Sequence, residues 1–222
     1  MADMLSAPPA PARRWSASGW AMVRGNGGGS SVSTPQLGGS QAGVRIARTL
    51  DARRRVAVVA RLAAALDAPQ QEAALGLEWR PGALPLRLVV ERRFGLSDQR
   101  GGMGVGLIGG ASDVALPLGF RLDGYAQAGA VLRGEIDGYA DGAAHIVRPV
   151  FRRADNVHVS LGLGVWGGAQ REAQRLDVGP SAMIDVPVGR TQTLRLALEW
   201  RQRIVGTARP ASGPALSIGT DY

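Results

Sequence analysis

Two polar residues of the types that nucleophilic chemistry uses stand at a telling spacing: His158 and Ser160 are two apart, which on a β-strand puts both on one face. No third polar residue can be assigned beside them to orient the imidazole. The other histidine, His145, follows Asp141 and Ala143 on a different segment, and two histidines without a shared geometry do not make a metal site. Cysteine is absent, which removes thiol catalysis, disulfides and thiolate metal ligation together. The glycine cluster Gly101-Gly102-Met103-Gly104-Val105-Gly106 lacks the Lys-Ser/Thr of a phosphate loop and alternates like a strand, so no nucleotide fingerprint is present. The expectation is a protein that is not an enzyme, with no cofactor and no metal.

Charge is the more informative chemistry. All 26 basic residues are arginine, against 18 acidic ones, for a formal charge of +8. Nucleic-acid binding calls for clustered basic runs with interleaved aromatics. Only Arg53-Arg54-Arg55 forms a run, and the remaining arginines are spread singly at strand-like intervals, so no nucleic-acid partner is expected. What such arginines do depends on the elements that carry them.

Those elements have a period of two. Ala73, Leu75, Leu77 and Trp79 oppose Glu72, Ala74, Gly76, Glu78 and Arg80; Leu194, Leu196, Leu198 and Trp200 oppose Arg195, Ala197, Glu199 and Arg201. About twelve such segments run from Arg14–Arg24 to Gly213–Tyr222, each near ten residues, the length of a tilted strand crossing a bilayer. The alanines of Arg55–Leu66 would also suit a helix, which makes it the least secure strand. No window reaches the roughly 18 consecutive apolar residues that a spanning helix needs. One face is smooth Leu, Val and Ala; the other mixes sparse charges with Gly, Ala and Ser, which suits the crowded inside of a small barrel. The predicted fold is all-β: an antiparallel up-and-down transmembrane β-barrel of about twelve strands over residues 14–222. Residues 1–13, Ala/Pro-rich and without an apolar signal-peptide core, read as a linker or truncated start.

Projecting the parity inward places Arg45, Arg61, Glu78, Arg80, Arg87, Glu91, Arg121, Asp123, Asp177, Arg195, Glu199 and Arg201 along a lumen or substrate path. Two states compete: a network of paired arginines and carboxylates, or an arginine-lined path for anions. A mostly paired, narrow lumen is favoured. Aromatics fall at strand ends as interfacial girdles, with Trp15, Trp79, Phe120, Phe151 and Tyr222 at the rim bearing the termini and Phe94, Tyr139, Trp166 and Trp200 toward the other.

Three resemblances add to this. The ending Leu216-Ser217-Ile218-Gly219-Thr220-Asp221-Tyr222 resembles the C-terminal insertion signal of bacterial outer-membrane barrels, with Tyr222, Ile218 and Leu216 matching and Thr220 departing from it. That resemblance implies a cell outer-membrane location, outer-membrane lipid as surroundings and the barrel-assembly machinery as partner. The segment from Glu199-Trp200-Arg201 through Gly213-Pro214 to Tyr222, with the Ala7–Ala12 linker, is similar to the C-terminal barrels of periplasmic-repeat proteins of the exopolysaccharide-exporter and phage-adsorption types. It implies an upstream periplasmic domain and an anionic or glycan substrate; a stand-alone small pore or structural barrel is the alternative. His158-Val159-Ser160 resembles the outer-membrane phospholipase A family, where the pair acts as base and nucleophile on lipid. Here, however, Val157, Val159, Leu161, Leu163 and Val165 make the lipid face, so His158 and Ser160 point into the lumen.

Overall fold

The computed structural model describes residues 14–25, 39–51, 53, 55–82, 84–97, 100–152, 157–171, 173–188 and 192–221. Tyr222, residues 1–13 and most of the first long connection lie outside them. The described residues form β1 (Trp15–Arg24), β2 (Gln41–Thr49), β3 (Val56–Ala65), β4 (Gln71–Trp79), β5 (Leu86–Gly95), β6 (Gly102–Ala115), β7 (Arg121–Leu132), β8 (Ile136–Arg152), β9 (His158–Gln170), β10 (Ala173–Val188), β11 (Gln192–Gly206) and β12 (Gly213–Asp221). Each strand pairs antiparallel with the next. β1 pairs with β12 from Trp20↔Gly219 to Arg24↔Ala215, closing a twelve-stranded barrel with no crossover. The alanine-rich β3 is a strand because β2 and β4 take its backbone hydrogen bonds on either side along almost its whole length.

Closure leaves each side chain one of two environments, and the alternation assigns them. Leu75, Leu77, Val105, Leu163 and Leu198 point outward and are half or more exposed, Leu163 at 66%. The inward positions are buried, and they include Glu78, Glu91, Asp177, Glu199 and Arg201. A protein surrounded by water would invert this pattern, since apolar area exposed to water costs about 25 cal/mol per Å². A continuous apolar outer wall around a charged interior is stable only with hydrocarbon outside. The barrel therefore spans a membrane. A small apolar cluster of Val147, Met183 and Ala197, from β8, β10 and β11, packs inside the lumen.

The strands depart from the expected uniform length. β6 to β11 run to 12–17 residues, whereas β1 to β5 have 9 or 10. β6 outruns the expected ten residues because it continues through a bulge between Ala111 and Val114, where Asp113 takes a left-handed φ of 57°. A bulge adds a residue and breaks the period of two, so alternation alone cannot be followed across it.

The girdles also need correction. Trp15, Trp79 and Phe151 are exposed on the outer wall near the rim where β1 begins and β12 ends, called here the terminal rim, and Phe120 is half-buried there. Phe94 and Trp200 are exposed on the outer wall toward the opposite rim. Tyr139 and Trp166 are not part of a girdle: both have inward parity, and Trp166 is 6% exposed. Because Val165 faces lipid, the residue after it has to face in.

Candidate functional site: the lumen

The inward side chains form chords across the barrel. Near the terminal rim, Arg45 of β2 grips Glu78 of β4 with two hydrogen bonds, at 3.2 and 2.5 Å, and Arg87 approaches the same carboxylate at 3.7 Å. Further along, Arg61 of β3 and Arg93 of β5 converge on Glu91 at 2.7 and 2.6 Å. Arg93 also lies 3.5 Å from Glu72, which Arg133 bonds from the end of β7. Its guanidinium donates to the Tyr139 hydroxyl at 2.9 Å and lies over that ring. Room for Tyr139 comes from glycine: a Cβ at Gly129 would sit 2.7 Å from the Tyr139 hydroxyl and 2.5 Å from the Val105 carbonyl oxygen.

On the other side of the lumen, Asp177 of β10 is held between Arg24 of β1 at 3.0 Å and Arg175 of its own strand at 2.8 Å, and all three side chains are at most 4% exposed. Arg201 of β11 clasps Glu199 with two bonds of 2.8 and 2.6 Å, while His145 Nε2 of β8 meets the other oxygen at 3.0 Å. Trp166 fills the space between them, edge-on to His145, with the Arg201 guanidinium 4.6 Å over its ring. Gly164 permits this, because a Cβ there would meet the Trp166 ring at 2.4 Å. Arg195 pairs with Asp185 at 2.7 Å and reaches Asp123 of β7 at 3.5 Å, a span of four strands. Ser112, presented by the β6 bulge, donates to Asp123 at 3.1 Å.

The opposite mouth is partly covered. The connection from β11 to β12 folds inward, with Ala208 and Pro210 buried. Three guanidinium groups hold its carbonyl oxygens: Arg203 to Ala208 at 2.6 Å, Arg175 to Pro210 at 3.0 Å and Arg24 to Ala211 at 3.2 Å.

Of the twelve lumen residues anticipated from parity, Arg45, Arg61, Glu78, Arg87, Glu91, Asp123, Asp177, Arg195, Glu199 and Arg201 belong to these chords. Two do not. Arg121 bonds Asp113 at the terminal rim instead of crossing the lumen, and Arg80 lies beyond the end of β4, exposed and without an ion pair among the described residues. Arg80 instead lines, with Arg87, Ser112 and Gly124, a polar recess of about 470 Å³. Sequence reasoning left out Arg24 and Arg93 as well as Trp20, whose ring lies over Gly43. Their parity was legible, since Arg24 follows Met22 on one face and Arg93 follows Glu91. Arg133 carried no such signal, because it lies past the end of β7.

His158 and Ser160 both have inward parity and Ser160 is buried, but no side-chain hydrogen bond joins them to each other or to another group among the described residues. No group of three or more potential ligands able to hold a metal ion occurs among the described residues.

No protein-family model matches the chain, and no curated protein matches it in sequence. Among solved structures it is similar to the β domain of the Bordetella autotransporter BrkA, with a TM-score of 0.47 and 11% identity, covering 95% of this chain and 99% of that one. It is also similar to Wzi, an Escherichia coli outer-membrane protein involved in group 1 capsule assembly and described as a carbohydrate-binding β-barrel. There the TM-score is 0.34 and the identity 9%, covering 82% of this chain and 51% of that one. Likeness at this level is one of general barrel shape, and nothing about function is taken from it.

Proposed function

We propose that this chain is an outer-membrane β-barrel, the membrane-embedded C-terminal domain of a larger export or surface-adsorption protein, whose lumen is held narrow by paired charge and admits an anionic or glycan substrate only when that network opens. The observation that carries this reading is the set of chords joining non-adjacent strands, above all Arg195 to Asp123, Arg24 to Asp177 and His145 to Glu199. Ion pairs between adjacent strands would stiffen the wall and leave the passage clear. Pairs spanning three or four strands cross the passage, so solute and network compete for the same space. Arginine is suited to such a gate: its planar fork can leave a carboxylate for a phosphate, sulfate or sugar carboxylate with the same bidentate geometry.

Planar-bilayer recording tests the gate. The unmodified barrel should conduct little, and Arg195→Ala with Arg201→Ala should raise conductance while weakening any anion selectivity; a large, steady conductance in the unmodified barrel overturns the proposal. The translated sequence upstream of Met1 tests the rest. A periplasmic helical-repeat region supports the larger protein, and a signal peptide directly upstream overturns it.

A further inference from the structure

Some rim arginines are matched by carboxylates and others are not. At the opposite rim Arg133 is matched by Glu72, Arg171 by Glu135 and Asp137, and Arg24 and Arg175 by Asp177. At the terminal rim one corner is built from three neighbouring pieces of chain, and backbone hydrogen bonds hold them together. The Thr49 amide donates to the Arg14 carbonyl at 2.8 Å, joining the start of β1 to the end of β2. The Leu50 amide donates to the Val56 carbonyl at 2.9 Å, closing the β2–β3 connection, and the Arg80 amide donates to the Arg55 carbonyl at 2.7 Å, joining that connection to the end of β4. These bonds gather Arg14, Arg48, Arg53 and Arg55, all exposed and none in an ion pair among the described residues. The carboxylate of the β2–β3 connection, Asp51, is engaged by backbone, accepting the Val56 amide at 2.9 Å.

Two features say what such a corner meets. First, Arg48 lies on the outer wall, its guanidinium 5.5 Å from the centre of the Trp15 ring, and Trp15 is 61% exposed. Trp79, also exposed on the outer wall, pairs with Val56 next to Arg55. Indole rings at the end of an apolar wall mark the depth of lipid headgroups. Second, the apolar wall begins immediately beyond, with Leu50, Ile46 and Leu77 all about half exposed. The Arg48 guanidinium therefore stands level with the phosphates of whichever leaflet surrounds that rim, and the exposed Arg14, Arg53 and Arg55 lie at the same rim.

We infer that this corner is a binding surface for anionic phospholipid headgroups, formed by Arg14, Arg48, Arg53 and Arg55 and anchored by Trp15 and Trp79. The inference rests on the barrel spanning a bilayer and not on what passes through its lumen. Each guanidinium offers a fork of N–H donors to phosphodiester oxygens, and four arginines around one backbone-engaged carboxylate leave a net positive charge for lipid to neutralise. Arg53 and Arg55 come from the run Arg53-Arg54-Arg55, which fits no nucleic-acid pattern.

The test uses the full chain reconstituted in mixed vesicles, with spin-labelled phosphatidylglycerol and phosphatidylcholine compared for their motionally restricted fraction at equal mole fraction. Phosphatidylglycerol should be preferred several-fold, roughly fivefold for each arginine engaged. The preference should shrink as salt shortens the screening length from about 30 Å at 0.01 M to about 3 Å at 1 M. It should also fall in the triple variant Arg48→Gln, Arg53→Gln, Arg55→Gln and persist in the matching triple lysine variant. Equal restriction of both lipids, or an unchanged preference in the glutamine variant, overturns the inference. Displacement of phosphatidylglycerol by inorganic phosphate alone also overturns it, because the site would then take a soluble anion. Should the glutamine variant fail to insert, the salt titration of the unmodified protein decides, and a salt-independent preference overturns the inference. Failure of the unmodified chain to float with any vesicle would refute the spanning barrel itself, an outcome distinct from all of these.

Discussion

Replacing Asp177 by alanine is the sharpest perturbation that the lumen offers. The carboxylate is 1% exposed and lies between two guanidinium groups, Arg24 at 1% and Arg175 at 4% exposure. Removing it strands two cations in a space that water barely enters, and breaking a buried pair of this kind costs about 3–5 kcal/mol. The chord also carries the covering loop, since Arg24 and Arg175 each donate to it. Reversible denaturant unfolding in lipid vesicles would measure the loss, and a broad-specificity protease would report faster cleavage within residues 207–211. The double variant Arg24→Gln with Asp177→Asn should recover part of the loss, giving a coupling energy of roughly 0.5–3 kcal/mol. A cost below about 1 kcal/mol, the value of a solvated surface pair, would refute the buried bracing argued above.

Arg195→Ala with Arg201→Ala should lower the thermal midpoint, measured by melting in detergent, because Glu199 and Asp185 lose bidentate partners; an unchanged midpoint would remove the network from the stability argument. Gly164→Ala puts a methyl 2.4 Å from the Trp166 ring and should cost about 1–3 kcal/mol in the same unfolding assay, with a shift in tryptophan fluorescence. Leu163→Arg, on the outer wall, should cost about 2–4 kcal/mol if that position lies near the bilayer midplane, whereas a free substitution would contradict a lipid-facing wall. Asp51 is held below the ordinary carboxylate range because the Val56 amide donates to it. Its folded-state value is depressed, so its contribution is present above the unfolded carboxylate value and is lost as pH falls through the folded one. Unfolding midpoints of the unmodified protein and Asp51→Asn should therefore differ at neutral pH and converge in acid.

How far the sequence reaches depends on which interaction places each residue. Strand parity is local: a residue faces in or out according to its neighbours, so Glu78, Glu91, Glu199 and Arg201 were assignable without coordinates. The same rule could have placed Trp166 inside, had it been applied in preference to the general habit of aromatics at strand ends. It failed where the backbone departs from regular pleating, at the Ala111–Val114 bulge, and it gave no reading past strand ends such as that before Arg133, where no following residue continues the alternation.

The sequence by itself determined the number of strands, their faces and the class of barrel, because each follows from a period of two repeated over segments of known length. Only the tertiary structure decided who meets whom across the lumen. Arg195 and Asp123 are 72 positions apart in sequence order and four strands apart in the sheet (195 − 123). Their meeting depends on closure, register and tilt, which are properties of the whole sheet. Whether the surplus of arginine charge lies in the passage or at one rim was likewise undecidable from composition. That depends on which carboxylates come within reach once the barrel closes, as Asp123 does for Arg195 and Glu91 for Arg61, while Arg14, Arg48, Arg53 and Arg55 make no ion pair among the described residues.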